Sequence, residues 1–327
     1  MISNKAEITT MKKVKENHIK GKKKVSFLSE IKKNYPAYLL ALPAAIYTLI
    51  FGYLTMPYML IAFQKFNYKM GLLGSEWVGL ENFQFFFASD RAWQVTFNTV
   101  RLNVLYILFS TICAIILAIL FSELKNKRFS KITQSTILFP HFLSWVIVSY
   151  VIYSLFASNF GLINKTLEYF QLDPINWYSS PQYWVQILVG ANIWKDVGIS
   201  LVIYLATITG IDGVYFEAAK IDGANRWQQI RYITLPLLMP TVIILSLLAL
   251  GKIMFGSFDM IYAIIKDNGL LYPTVDVIDT YVFRALRTIG NPSQAMAVGI
   301  FQSVVGFILV FGANWIVKKI NPDNSLF

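Results

Sequence analysis

The chain has 327 residues, enough for two soluble domains, yet 56% of them are apolar and only 14% charged. Soluble cores cannot absorb that balance without large exposed apolar patches, so lipid is the expected solvent for much of the chain. The formal charge of +11 is uneven, with ten lysines between Lys5 and Lys33, and a basic run beside a first spanning helix is read as orienting charge against anionic headgroups, not as a nucleic-acid patch.

Residues 1–34 form a basic tail expected on the cytoplasmic side, and 35–327 a transmembrane domain. The first apolar stretch is of full membrane length and ends in no small-residue cleavage pattern, so no cleavable signal is read. Six runs of about twenty mostly apolar residues follow, which is the length a helix needs to cross the hydrocarbon. They fall near 37–63, 102–122, 137–156, 183–209, 237–258 and 295–317. Unpaired backbone groups are costly in lipid and the alternation of barrel strands is absent, so the fold class is all-α and polytopic. The single Cys113 excludes an intrachain disulfide.

Charge asymmetry orients the spans. The tail, Lys125, Lys127, Arg128 and Lys131 after span two, Lys220, Arg226 and Arg231 after span four, and Lys318 and Lys319 after span six place both termini in the cytoplasm. Pro140, Pro236 and Pro240 are expected near span starts, where a missing donor is tolerated. Pro43 and Pro57 are expected to bend span one. Tyr35, Trp77, Trp93, Trp177 and Tyr183 suit the aromatic belts.

Between spans four and five, residues 212–236 spell two short helices. Asp212 caps the first, Asp222-Gly223 ends it with a glycine suited to a left-handed terminus, and Asn225 with Gln228 has capping-box spacing for the second. Leu235-Pro236 is expected to mark the return to the membrane. Tyr215, Phe216, Ile221, Trp227, Ile230 and Ile233 carry more apolar surface than such short helices bury alone, so the element wants a partner groove or a bilayer surface. Small residues permit close approach, and Glu217, Lys220, Arg226 and Arg231 suit a polar rim.

These residues carry a resemblance. Glu217-Ala218-Ala219, Asp222-Gly223-Ala224 and Ile233-Thr234-Leu235-Pro236 resemble the EAA motif of ABC importer permeases of the carbohydrate, maltose-type branch. Ile193-Trp194-Lys195, Ile203-Tyr204-Leu205-Ala206, the 276–282 stretch and Ala297-Val298-Gly299 look like its LplB-type subgroup, associated with complex polysaccharide fragments. The resemblance implies a type I importer permease fold with a cytoplasmic coupling helix, in a multi-pass subunit of the cytoplasmic membrane. It implies a second homologous permease, two ATP-binding subunits that carry ATP and Mg, and an extracellular solute-binding protein. Carried over residue by residue, Glu217, Ala218, Ala219, Asp222, Gly223, Ala224, Leu235 and Pro236 would couple to the ATPase.

For a sugar cargo, useful linings are aromatic platforms with hydrogen-bonding groups. Span three offers Trp145, Tyr150 and Tyr153; span four Asn192, Trp194, Lys195 and Asp196; span five Lys252, Phe255 and Asp259. Lys195 or Lys252 would balance an acidic oligosaccharide such as a pectin fragment. As sequence neighbours, Lys195 and Asp196 point about 100° apart and are not expected to pair with each other; Asp196 with Lys252 is an alternative interhelical pair. No phosphate-binding loop is present, so the chain is not expected to be the enzyme. Nor are a cofactor, a catalytic residue or a metal site expected, His18 and His141 being far apart. A proton-coupled secondary transporter and a non-transporting membrane scaffold are the competing readings.

Overall fold

The computed structural model describes residues 33–320, which are mostly helical. The basic tail therefore lies outside the described residues except for Lys33 and Asn34. The chain divides into two compact units, one ending at Met59 and one beginning at Leu60.

In the first unit, α1 (Tyr35–Thr48) carries Pro43 in its interior and passes into a widened π-turn at Leu49–Tyr53. Pro57 lies at the second position of the 3-10 turn Met56–Phe63, where a missing donor leaves no internal bond broken. The apolar side chains of α1 are exposed along its length.

The second unit opens on a two-residue antiparallel ribbon, β1 (Gln64–Lys65) against β2 (Glu76–Trp77). Helix α2 (Asp90–Ser122) starts on Ser89, whose hydroxyl accepts from the Arg91 N–H at 3.2 Å. The expected span began only at residue 102, and the helix starts twelve residues earlier. At 1.5 Å per residue it is about 50 Å long, well beyond the ~30 Å of hydrocarbon. Its polar first turns bind other parts of the fold: Asn98 donates to the Pro273 and Asp276 carbonyls at 3.2 and 3.1 Å, and Arg101 to the Thr274 carbonyl at 2.6 Å.

The expected third span is broken. Helix α3 (Lys127–Leu138), capped by Asn126, runs into a 3-10 turn at Phe139–Phe142, and α4 (Trp145–Phe156) restarts on Ser144. The two halves meet at 100°. Pro140 removes a donor from the turn and Ser144 caps a fresh helix, its Oγ accepting from Ile147 at 3.4 Å. Pro140 thus marks a corner inside the span, not its start.

Helix α5 (Trp184–Thr209) packs along α2. Trp184 and Leu188 meet Leu102 and Tyr106 in one cluster, while Leu201 and Tyr204 meet Ala114 and Ala118 in another. The alanines let the two helix axes approach, as small residues do in membrane bundles. At Gly198 a Cβ would sit 2.7 Å from the Ile137 carbonyl oxygen and 3.0 Å from the Leu138 Cα, so α5 presses directly on the end of α3.

Helices α6 (Gly213–Ile221) and α7 (Arg226–Gln229) precede α8 (Leu235–Leu250). The expected fifth span reached residue 258, but α8 stops at Leu250, and a separate helix, α9 (Phe258–Ile265), follows. Side chains replace the lost ladder between them. Asn103 donates to the Ile253 and Phe255 carbonyls at 3.0 Å each, Gln302 to the Met254 carbonyl at 2.9 Å, and the Gly256 N–H reaches Asp279 Oδ2 at 2.5 Å. Buried backbone outside a helix needs its polar groups satisfied in this way. Helix α10 (Ile278–Arg284) supplies Asp279, and α11 (Pro292–Ile320), the last span, supplies Gln302.

Candidate functional site

The 212–236 element forms as its local chemistry dictates. Asp212 Oδ1 accepts from Val214 at 3.0 Å to start α6. Gly223 closes it at φ 79°, and the Ala224 N–H donates to the Ala219 carbonyl at 2.8 Å. Asn225 and Gln228 exchange capping-box hydrogen bonds of 2.9 and 2.8 Å. No break falls at Leu235-Pro236: α7 continues through a π-turn at Ile230–Thr234 into α8. The widened turn accommodates the missing Pro236 donor without ending the helix. Force on α7 therefore acts on α8 through unbroken backbone.

Glu217, Ala218, Lys220 and Asp222 are exposed, and so are apolar Ile221 at 87% and Trp227 at 68%. Arg226 reaches Glu123, at the end of α2, at 3.5 Å. A depression of about 320 Å³ lies over the turn, walled by Ala219, Gly223, Ala224 and Gln228. In its wall, buried Gln229 donates to the Ala224 carbonyl at 3.0 Å, while its Oε1 has no partner among the described residues.

A second polar cluster occupies the corner of span three. Lys195, its side chain 8% exposed, donates to the His141 carbonyl at 2.8 Å and lies 5.2 Å from the centre of the Trp145 ring. His141 Nδ1 meets Asp196 Oδ1 at 2.9 Å. Lys195 Nζ also comes within 3.9 Å of the same oxygen, contrary to the expectation that these neighbours stay apart. The flexible lysine stem curls back towards the corner, where both groups find His141. Asp196 thus pairs with His141 and Lys195 and not with Lys252, which is exposed in the 251–257 connection. Asn192 joins the cluster through Asp196 Oδ2 at 3.5 Å and Ser110 at 3.3 Å.

Four of the remaining candidates line two clefts, and Tyr153 lines neither. Trp194 lines an apolar one of about 580 Å³ with Val151, Leu155, Ile187 and Gly190. Trp145, Tyr150 and Asp259 line another, of about 510 Å³, between α4 and α9, together with Ser149, Tyr262 and Lys266. Lys266 Nζ lies 5.7 and 5.6 Å from the ring centres of Tyr150 and Tyr153. Phe255 lines neither; it is half-exposed and its carbonyl accepts from Asn103.

The third arrangement is a hub. Asp276, buried at 2% exposure, holds Arg284 through both carboxylate oxygens at 2.7 and 2.5 Å, Arg91 at 3.2 Å and the Thr280 hydroxyl at 2.7 Å. Arg91 and Arg284 also lie over the Tyr272 ring, at 5.1 and 4.2 Å. This ties the 272–284 segment to the first turns of α2. Among the described residues no group of three or more His, Cys, Asp or Glu could hold a metal.

Residues 110–322 match the family of binding-protein-dependent transport system inner membrane components. The chain belongs to that family. It is 36% identical to Protein LplB of Bacillus subtilis (strain 168), covering 92% of this chain and 94% of that one. It is also 36% identical to the polygalacturonan/rhamnogalacturonan transport system permease protein YteP of the same strain, covering 93% and 94%. Among solved structures it resembles a chain of a bacterial ABC transporter involved in the import of the acidic polysaccharide alginate, with a TM-score of 0.82, 32% identity, and coverage of 90% and 99%. As an ABC importer permease the chain is not itself the ATP-hydrolysing subunit.

The sequence offers Lys195 or Lys252 as the counter-charge, but in this permease the lysine that lies beside the Tyr150 and Tyr153 rings is Lys266. It lies between the expected spans 237–258 and 295–317, and only the packing of α9 on α4 brings it there. For His141, the signal in the sequence that it sits at a corner is its neighbour Pro140, which breaks the helix.

Proposed function

We propose that this permease is one membrane-spanning half of an ATP-driven importer that moves oligosaccharides, acidic pectin-type fragments among them, into the cytoplasm. Its partners would be a second homologous permease, two ATP-binding subunits holding ATP and Mg, and an extracellular solute-binding protein. A solved relative in complex with an alginate pentasaccharide-bound periplasmic protein supports the last. Both termini would lie in the cytoplasm, with residues 212–236 facing the ATPase. The observation that carries the reading is the exposed α6–α7 element, with its surface depression and its unbroken connection into α8. ATP-driven closure of the partners would move α6 and α7 as levers and switch a cavity lined by α4, α5 and α9 between outward and inward access.

Glu217→Lys tests this. The side chain is exposed and makes no ion pair among the described residues, so the variant should insert and assemble normally. In the reconstituted transporter it should abolish cargo-stimulated ATP hydrolysis. Stimulation at the wild-type level would refute coupling through this element.

A further inference from the structure

We infer that Lys266 is the cation that reads the carboxylate of an acidic oligosaccharide, in the cleft between α4 and α9. The inference rests on the import reading and narrows it to one side chain and one charge class.

Of the lysines near the clefts, Lys195 is spoken for, its ammonium buried against the His141 carbonyl and 3.9 Å from Asp196. Lys266 is exposed and forms no ion pair among the described residues. Its ammonium lies beside the Tyr150 and Tyr153 rings, at the edge of a cleft of about 510 Å³, a size typical of small-molecule sites. Asp259, Tyr262 and Lys266 are spaced i, i+3 and i+7 and share the wall contributed by α9. Trp145, Ser149 and Tyr150 form the facing wall. The cleft therefore offers a cation, aromatic faces, and a carboxylate about two turns away that can accept from hydroxyls but repels an anion. A uronate has the matching layout: a carboxylate at one edge of the ring, hydroxyls around the rest, and apolar C–H faces between.

The backbone adds an independent observation. Lys266 sits at φ 49°, a region that a long side chain occupies at a cost. The conformation is clasped from the next turn: the Asn268 N–H donates to the Lys266 carbonyl at 2.5 Å, and Asn268 Nδ2 donates to the Tyr178 carbonyl at 2.8 Å. At ψ 175° this is a region essentially reserved for glycine, yet the position carries a lysine. Strain of this kind concentrates at ligand clamps.

The test uses the complete transporter in proteoliposomes with its solute-binding protein, measuring uptake of labelled trigalacturonate and of its neutral trimethyl ester. Lys266→Gln should lower uptake of the acid roughly tenfold or more, the scale of one charge-assisted hydrogen bond, and change the ester less than about twofold. Lys266→Arg should retain the acid. Lys266→Gly, at ease at φ 49° and ψ 175°, removes the charge without a backbone penalty and should repeat the Gln result. Equal losses for acid and ester, no loss for the acid, or a selective loss in Lys195→Met instead would overturn the assignment. A wild-type transporter that takes up only the ester would sink the inference and leave the import reading standing; one that takes up neither would sink both.

Discussion

The press of α5 on the end of α3 yields a prediction with an internal control. Gly198→Ala places a methyl 2.7 Å from the Ile137 carbonyl oxygen, about 0.7 Å inside the 3.4 Å at which ordinary contact begins. The obstruction is backbone and cannot rotate away, so α5 must lift from the corner that its neighbour Lys195 helps to hold. Overpacking of this kind costs about 1–3 kcal/mol, offset by the roughly 0.5–1 kcal/mol that alanine gains over glycine in a helix. The net is a loss centred on about 1 kcal/mol within a range of roughly 0–2.5, and each kcal/mol lowers the thermal midpoint by about 2–4 °C in a domain of this size. Gly190, two turns away on the same helix, has nothing within 4 Å of its built Cβ, so Gly190→Ala keeps only the helix gain and should be neutral or slightly stabilising. Thermal unfolding of the purified transporter in detergent, followed by tryptophan fluorescence, separates the two. Shifts of the same sign and size in both variants would refute the close approach at Gly198.

Two more predictions concern the 272–284 segment. Asp276→Asn leaves Arg284 and Arg91 without their shared counter-charge and should cost about 3–5 kcal/mol, as breaking one side of a buried ion pair does; a thermal midpoint within 2 °C of wild type, a margin small against ~2–4 °C per kcal/mol, would contradict the hub. Burial raises the Asp279 carboxyl above its ordinary 3.8, against the lowering effect of donors from Gly256 and Gln302. Because the folded value lies above the unfolded one, this contribution is fully present below 3.8 and is lost as pH rises through the folded value. Wild type should therefore lose stability relative to Asp279→Asn across that window, and parallel pH curves for the two would contradict the shift.

What the sequence made legible was local. The caps at Asp212, Asn225 and Gln228 and the glycine at 223 act within a few residues, so their chemistry is written in order along the chain and the element formed as read. The helical class and most of the spans followed from apolar length alone. Two of the misplaced boundaries depend on distant partners. Leu250 ends α8 because Asn103, Gln302 and Asp279 stand ready to satisfy the exposed carbonyls and N–H groups of residues 251–257, and hydropathy cannot register that. Asp90 to Arg101 looked too polar for a span because those side chains serve the Pro273–Asp276 backbone. The corner at Leu143 was partly legible, since Pro140 and Ser144 are a stop and a start four residues apart. The gathering of Lys266, Tyr150 and Asp259 was not, because it requires α9 to fold back against α4.

The central claim is that the 212–236 element hands ATPase motion to α8. Its most direct test is proximity: Ala218→Cys, in a chain whose native Cys113 is replaced by serine, paired with single cysteines on the ATP-binding subunit. The account predicts a disulfide between the two chains whose yield changes when ATP is bound. No cross-link from any position in 217–223, or labelling of that cysteine by a membrane-impermeant maleimide added outside intact cells, would contradict it.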